Sequence, residues 1–271
     1  MITYVLVLCA THSGVIDGVR VWAALFCLVA LFIPWLLDRA EFWLVLAFTL
    51  SLNLIFKYAD AANHYYLTIY TTLFFALEAY RRGQGYAGTT INIPRMLIII
   101  AFFFATLQKI IAPYFVSGRL LADYFLNGNS IYRTLSRIFP GHADAVEGFR
   151  GVYHTVADTT DFTRVAIDLQ LPGEGFIELS RAVALMIVVA EGVVFAAFAT
   201  GPVFRHSLMP VIVLGFAWGT YYFRPEYGFY ALFCLLFFLS RPDMKPLWKV
   251  LIVGSIAAFL AFDVADVGVP T

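Results

Sequence analysis

Apolar stretches long enough to cross a lipid bilayer recur along this sequence. A transmembrane helix needs roughly 17 to 25 predominantly apolar residues. Windows of that kind predict eight spans, at residues 19–37, 41–56, 63–80, 95–116, 181–200, 207–223, 227–240 and 247–264. Because an α-helix satisfies its own backbone hydrogen bonds inside lipid, the pattern predicts an all-α integral membrane protein, a bundle of about eight transmembrane helices. Some spans are short, so seven to nine crossings fit the same pattern.

The composition supports a membrane location and excludes other classes of protein. Of the 271 residues, 61% are hydrophobic and 13% are charged, and the mean hydropathy is +0.81, well above that of ordinary soluble domains. The 18 basic and 18 acidic residues cancel, and the three cysteines lack paired spacing, so neither a nucleic-acid partner nor a disulfide framework is expected. We expect residues 1–271 to form a single polytopic domain whose first span, rather than a cleavable leader, directs insertion.

Basic residues in the short loops predict the orientation of the bundle. Loops on one side collect Arg39, Arg81, Arg82, Arg95, Arg205, Arg241, Lys245 and Lys249, whereas the other short segments hold Arg20, Lys57 and Arg224. Short cytoplasmic loops are enriched in lysine and arginine, so the first side is predicted to face the cytoplasm. Both termini and the loop at 117–180 then face the periplasm of a bacterial inner membrane.

Residues 117–180, between the fourth and fifth spans, have the composition of a soluble segment. A loop of this length without function is uncommon, and residues 120–125 and 131–139 alternate at helical period. We predict a long, partly helical extramembrane loop that caps one face of the bundle and can dock a membrane protein partner. His142 and Asp144 lack the spacing of metal ligands on a helix, so the pattern favours solvated surface over a metal site.

A polar island, Asn63-His64-Tyr65-Tyr66, opens the third span, and Lys109 lies near the end of the fourth. Ionisable groups inside membrane segments are costly, so each is a candidate functional residue. In the predicted topology both lie in the outer leaflet, where an imidazole and a desolvated amine acting as a general base can line one cavity. The alternative is that Lys109 extends its ammonium to the interface and the histidine and tyrosines form an aromatic belt.

Two glutamates also lie within predicted spans. Glu191, near the middle of the fifth span, needs a partner or a proton at that depth. It is either a countercharge for Lys109 that holds two helices in register or a structural glutamate between helices. Glu78 lies beside Arg81 and Arg82 near the end of its span, a spacing that predicts an interfacial ion pair.

Several of these residues fall in motifs of a known family. The motifs are Asn63-His64-Tyr65-Tyr66-Leu67, Ala105-Thr106-Leu107-Gln108-Lys109-Ile110, Pro113-Tyr114-Phe115 with Ser117-Gly118, Glu191, and Arg205-His206-Ser207 through Tyr222-Phe223 to Phe237-Phe238. With them the chain resembles the HTTM superfamily, the membrane domain shared with vitamin K-dependent gamma-carboxylases. The similarity covers most of the chain, although each motif is short. It implies a helical membrane domain of the kind that the hydropathy pattern predicts.

The resemblance also implies a chemistry. In that family a reduced quinone is bound and oxygenated to an epoxide with the help of an amine base and a histidine. Carried across by motif, Lys109 is the amine base, His64 stabilises the oxyanion, and Asn63 orients the histidine. The residues expected to contact the quinone are Tyr65, Tyr66, Gln108 and Glu191.

The chain also departs from the carboxylases. Those enzymes carry a large soluble domain that grips the substrate peptide, and no such segment follows the predicted span at 247–264. Vitamin K-dependent peptide carboxylation is therefore not expected, and a quinol-oxygenating activity is the most that the resemblance implies. The alternative is a non-catalytic subunit of a larger membrane complex, in which the polar residues lock helices together and residues 117–180 dock the partner.

Overall fold

The computed structural model describes residues 25–26, 28–30, 32–56, 63–85, 92–126, 132–148, 172–173, 175–223 and 226–267. Within these residues all regular secondary structure is helical. Helical residues at 25–26 and 28–30 and a 3₁₀ helix at Pro34–Asp38 come first. The helices that follow are α1 (Ala40–Phe56), α2 (Asn63–Gly83), α3 (Asn92–Ile111), α4 (Pro113–Val116), α5 (Arg119–Leu126), α6 (Tyr132–Ile138), α7 (142–148), α8 (Phe176–Ala199), α9 (Gly201–Arg205), α10 (Met209–Phe223), α11 (Tyr227–Ser240) and α12 (Pro246–Val267).

The predicted spans correspond well to helices in the described residues. Each predicted span from 41–56 onward overlaps one long helix. The first predicted span, at 19–37, lies partly outside the described residues, and its described part runs from helical residues into the 3₁₀ helix. Local hydrophobic pattern therefore locates these helices, because a helical apolar segment needs no distant strand to satisfy its backbone.

The helix that contains Lys109 ends earlier than the hydropathy pattern indicates. α3 stops at Ile111, so the predicted end at residue 116 is wrong. Pro113 begins α4, and Ala112 before it is extended, with φ −90° and ψ 101°, because a proline ring disfavours helical geometry in its predecessor. Gly118 follows α4 in a left-handed conformation with φ +80°.

Among the described residues, two helices, α3 and α8, are long and apolar enough to cross a membrane, with 20 and 24 residues. Shorter apolar helices occupy Ala40–Leu52, Gly228–Ser240 and Pro246–Phe262. Large apolar side chains remain exposed on α3 and α8, among them Ile111 at 68% and Val189 at 65%, as expected of surfaces that contact another apolar phase. These features support membrane association, whereas a bundle of eight spans stays a prediction.

The chain divides into two compact units. Unit 1 comprises residues 1–104, 194–218 and 226–271, and unit 2 comprises residues 105–193 and 219–225. In unit 1, α1 packs on α2 and α11 packs on α12. Its described core is rich in phenylalanine: the ring of Phe102 lies 5.0 Å from those of both Phe216 and Phe233. Such edge and tilted contacts bury large apolar area in favourable ring geometry.

Two arginines of unit 1 bind main-chain oxygens in the segment from the end of α8 to α9. Arg95 donates from Nε to the Phe198 carbonyl at 2.8 Å and from Nη2 to the Ala199 carbonyl at 3.1 Å. Arg241 donates from Nη1 to the Phe204 carbonyl. Carbonyls at a helix C-terminus have no partner within the helix and favour positive charge. Two of the basic residues expected on one side thus bind one segment, while the compartment they face stays a prediction.

Unit 2 has a separate core built around Phe176, the first residue of α8. Its described members include Phe115 and Phe125, with Leu135 from α6 and Ala145 from α7. The amphipathic helices predicted within the long segment are confirmed as α5 and α6, and each buries apolar side chains in this core. Residues 149–171 lie outside the described part of the structure. The extramembrane location of residues 117–180 stays a prediction.

Candidate functional site

The ammonium of Lys109 and the carboxylate of Glu191 form a bidentate ion pair in unit 2. Nζ lies 2.7 Å from Oε1 and 2.9 Å from Oε2, and the two side chains are only 16% and 10% exposed. Burial removes the hydration of both charges, and their mutual attraction offsets part of that cost. This contact is the one expected if Glu191 is the countercharge of Lys109.

The pair joins two helices that are far apart in the sequence. Lys109 occupies the last turn of α3, and Glu191 lies in the second half of α8. Both helices have the length and composition of membrane spans. A side chain that ionises in such a helix is expected to face a protein partner rather than lipid, and the ion pair satisfies that expectation for both residues.

The short helix α4, which follows α3, brings an aromatic ring to the ion pair. The Phe115 ring centroid lies 5.6 Å from Lys109 Nζ, within the range of a cation–π contact. Gly118 then lies directly against the backbone of α8, where an added Cβ would be 2.6 Å from the Cα of Arg181. Only glycine combines this approach with a positive φ at low cost. Gly118 thus lets the turn that carries Phe115 pack against α8.

Thr106, one helical turn before Lys109, is a polar group that sequence reasoning missed. Its hydroxyl is buried and Oγ1 has no hydrogen-bond partner among the described residues. Helical threonines usually bond the carbonyl four residues earlier, as Thr71 does at 2.7 Å. Thr106 Cγ2 lies 3.9 Å from the position that a Cβ would occupy if one were added to Gly192, the residue after Glu191. The sequence did contain a sign of this position: Thr106 is three residues before Lys109, and residues three apart share a helix face.

For the other predicted site residues, membership of this group stays a prediction. The side chains of Asn63, His64 and Tyr65 lie outside the described residues, so their convergence with the lysine stays a prediction. Tyr66 is half-buried in unit 1. Gln108 is exposed on α3. Quinone contacts by these residues also stay predictions.

His142 is fully buried, so the expectation of a solvated histidine is wrong. Its Nε2 lies 3.3 Å from the Phe125 carbonyl oxygen and its Nδ1 lies 3.1 Å from Ser136 Oγ. Because a carbonyl can only accept, Nε2 carries the hydrogen and Nδ1 accepts from the serine. Burial lowers the pKa of His142, since the imidazolium would lose its hydration. α7 carries the ring into the core beside Phe176, where it serves as a neutral hydrogen-bonding group.

The acidic residue near the end of α2 forms the ion pair that its sequence position predicts. Arg81 Nη1 lies 3.5 Å from Glu78 Oε1, and the Glu78 side chain is only 3% exposed. Arg82 pairs with Asp38 at 3.7 Å. The ion pair between Glu78 and Arg81 is confirmed, and the Glu78 side chain is buried. Its location at a membrane interface stays a prediction.

The chemistry available at the Lys109–Glu191 pair is proton exchange. An ammonium has three N–H donors, two of which the carboxylate occupies, so the third can serve a further acceptor. Lys109 and Glu191 thus place a donor and an acceptor in direct contact beside the Phe115 ring.

Comparison with protein-family models, curated proteins and solved structures finds no match to this chain.

Proposed function

We propose that this chain is a polytopic helical membrane protein of the HTTM type, and that the Lys109–Glu191 pair exchanges a proton with a reduced quinone. The observation that carries the proposal is the bidentate pair itself, almost buried and held between two helices of membrane-spanning composition. Following the loop charges, the protein lies in a bacterial inner membrane with residues 117–180 on the periplasmic side.

Energetics favour a chemical role for the pair. Replacing a buried ion pair by apolar residues of similar volume is often neutral or stabilising, so stability alone does not account for two charges at this depth. Perturbed or paired titratable groups in apolar surroundings are typical of sites that move protons. A lysine and a glutamate in contact supply both a donor and an acceptor.

The neighbouring residues carry groups that could bind a ring with hydroxyl substituents. Thr106 offers a buried hydroxyl without a partner among the described residues, and Phe115 offers a ring face beside Lys109. Thr106 and the third N–H of Lys109 would hold the quinone oxygen. When bound, a reduced quinone would supply a weakly acidic hydroxyl and the electrons that reduce molecular oxygen, so that quinol and oxygen together would give the quinone epoxide and water.

The protonation states limit which residue acts first. An ammonium cannot accept a proton, so Lys109 acts as a base only after it transfers its own proton to Glu191. Until then the ammonium stabilises a neighbouring oxyanion, and the carboxylate accepts only the proton that Lys109 releases. His64 and Asn63 keep the roles that the family resemblance implies, as the oxyanion partner and the residue that orients it.

Lys109→Arg tests the proposal with the ion pair retained. A guanidinium pairs with a carboxylate in a bidentate manner but does not give up its proton near neutral pH. We expect wild-type protein in liposomes to consume oxygen when supplied with a reduced naphthoquinone, and the variant to lose this activity while its melting temperature stays within a few degrees. Equal oxygen uptake by both proteins, or none above empty liposomes, would overturn the proposal.

A second candidate function rests on the same bidentate contact. Since both carboxylate oxygens bind Nζ, the pair can act as a lock that fixes the register of two helices in a non-catalytic membrane subunit. Lys109→Arg preserves such a lock. Absence of oxygen uptake from the wild type, together with copurification of a stable partner in mild detergent, would favour this function over the enzyme.

A further inference from the structure

Unit 1 contains an open groove of about 680 Å³ beside the start of α1. Its walls are mostly hydrocarbon and include Leu25, Val29, Phe42 and Val45. The volume lies within the range of roughly 300–1,000 Å³ that is usual for small-molecule sites. An apolar groove on a protein of this composition has the chemistry of an acyl-chain site.

Two charged residues, Arg39 and Glu41, line the same groove and remain exposed. The Arg39 guanidinium lies 5.5 Å from the ring centroid of Trp35. Within the described part of the chain neither charge has an ion-pair partner, whereas Asp38 next to them pairs with Arg82 at 3.7 Å. Tryptophan and arginine together are typical of the level at which lipid headgroups lie. Among the described residues, the groove therefore offers one cation and one anion that have no ion-pair partner, together with apolar walls.

We propose that this groove binds a phospholipid with a primary-amine headgroup, of the phosphatidylethanolamine class. One acyl chain lies along Leu25, Val29 and Val45, the phosphate pairs with Arg39, and the ammonium donates to Glu41. The proposal rests on the membrane location inferred above but is independent of any proton chemistry at Lys109.

The charges of Arg39 and Glu41 determine which class of lipid headgroup the groove can bind. A phosphatidylglycerol headgroup would satisfy Arg39 but leave Glu41 facing an anionic lipid, which like charges disfavour. A phosphatidylcholine headgroup has no N–H to donate, so it forms no hydrogen bond with the carboxylate. Only a headgroup with a phosphate and a primary ammonium complements both side chains.

Native mass spectrometry of the full chain released from nanodiscs tests the site. The nanodiscs contain equal amounts of phosphatidylethanolamine, phosphatidylcholine and phosphatidylglycerol of one acyl composition. We expect the wild type to retain phosphatidylethanolamine preferentially, and Arg39→Gln and Glu41→Gln each to lower that retention about fivefold, the scale of one charge contact at a membrane surface. Arg205→Gln and Glu147→Gln, at exposed positions elsewhere, remove the same charges as matched controls and should retain the lipid.

The lipid distribution of the wild type decides the proposal even if a variant fails to fold. Equal retention of phosphatidylethanolamine and phosphatidylcholine, or a preference for phosphatidylglycerol, would overturn it. So would equal losses in the groove variants and the matched controls. Because bound lipid is counted without turnover, this outcome is separate from a failure of quinol-dependent oxygen uptake.

Discussion

The two units accommodate a buried cation in different ways. In unit 2, Lys109 pairs with Glu191, whose side chain is only 10% exposed. In unit 1, Arg241 is 8% exposed and binds the Phe204 carbonyl together with Asp243, whose side chain is 66% exposed. The hydrogen bond from Arg241 lowers the pKa of Asp243. A buried partner becomes costly when the cation is removed, whereas a carboxylate in water does not. The Lys109 site is therefore the more sensitive of the two.

The largest expected effect comes from breaking the pair in unit 2. Lys109→Met or Glu191→Met alone should lower the free energy of unfolding by about 3–5 kcal/mol, because each leaves a buried charge without its partner. The double variant should recover to within about 1 kcal/mol of the wild type, since no charge remains. Unfolding in mixed detergent–SDS micelles, followed by far-UV circular dichroism, measures all four proteins.

The double variant shows whether the two side chains are energetically coupled. If its loss of unfolding free energy equals the sum of the losses of the two single variants, the side chains are not coupled and the ion pair has no energetic significance. Glu147→Gln, at an exposed position, controls for loss of an acidic residue and should change the free energy of unfolding by less than about 0.5 kcal/mol.

A smaller effect is expected from the arginine of unit 1. Arg241→Met should lower the free energy of unfolding by about 1–3 kcal/mol, because the Phe204 carbonyl loses its donor. Asp243→Asn removes an exposed charge only and should cost about 0–1 kcal/mol. The same micelle titration applies. A loss with Asp243→Asn as large as that with Arg241→Met would show that the carboxylate, rather than the carbonyl, is the partner that matters.

The smallest effect is a pH dependence from His142. Because burial lowers its pKa below the ordinary value of 6.5, the unfolded chain binds a proton at higher pH than the folded chain does. The stability that neutral His142 contributes to the fold is thus fully present above about pH 6.5. It is lost as the pH falls through the lowered pKa of His142 in the folded state.

Thermal unfolding of wild type and His142→Gln across pH 5 to 8 checks this dependence. The variant keeps a polar side chain at this position but does not titrate, so its melting temperature should fall less on acidification than that of the wild type. Parallel curves for the two proteins would contradict the assignment of a neutral imidazole with Nε2–H donating to the Phe125 carbonyl.

The sequence by itself determined where the long helices lie. Apolar runs predict the long helices α1, α2, α3, α8, α10, α11 and α12 without reference to any neighbour, because a helix closes its hydrogen bonds locally. The short helices α4, α7 and α9 were not predicted. Pro113 also indicated that α3 ends before it. The predicted end at residue 116 followed the apolar window instead of the proline. The locations of α5 and α6 followed from helical period within an otherwise polar segment, although their ends differ from the predicted 120–125 and 131–139.

Only the tertiary structure decided which polar groups meet. Lys109 and Glu191 are 82 residues apart, and no local pattern distinguishes a lysine that pairs with a glutamate from one that extends to the interface. The burial of His142 likewise depends on how α7 packs, and the Thr106 hydroxyl, which has no partner among the described residues, depends on how α8 packs against α3. The physical reason is that hydrogen bonding along a helix is local, whereas the energy of a buried charge depends on whatever the rest of the chain brings within about 3 Å of it.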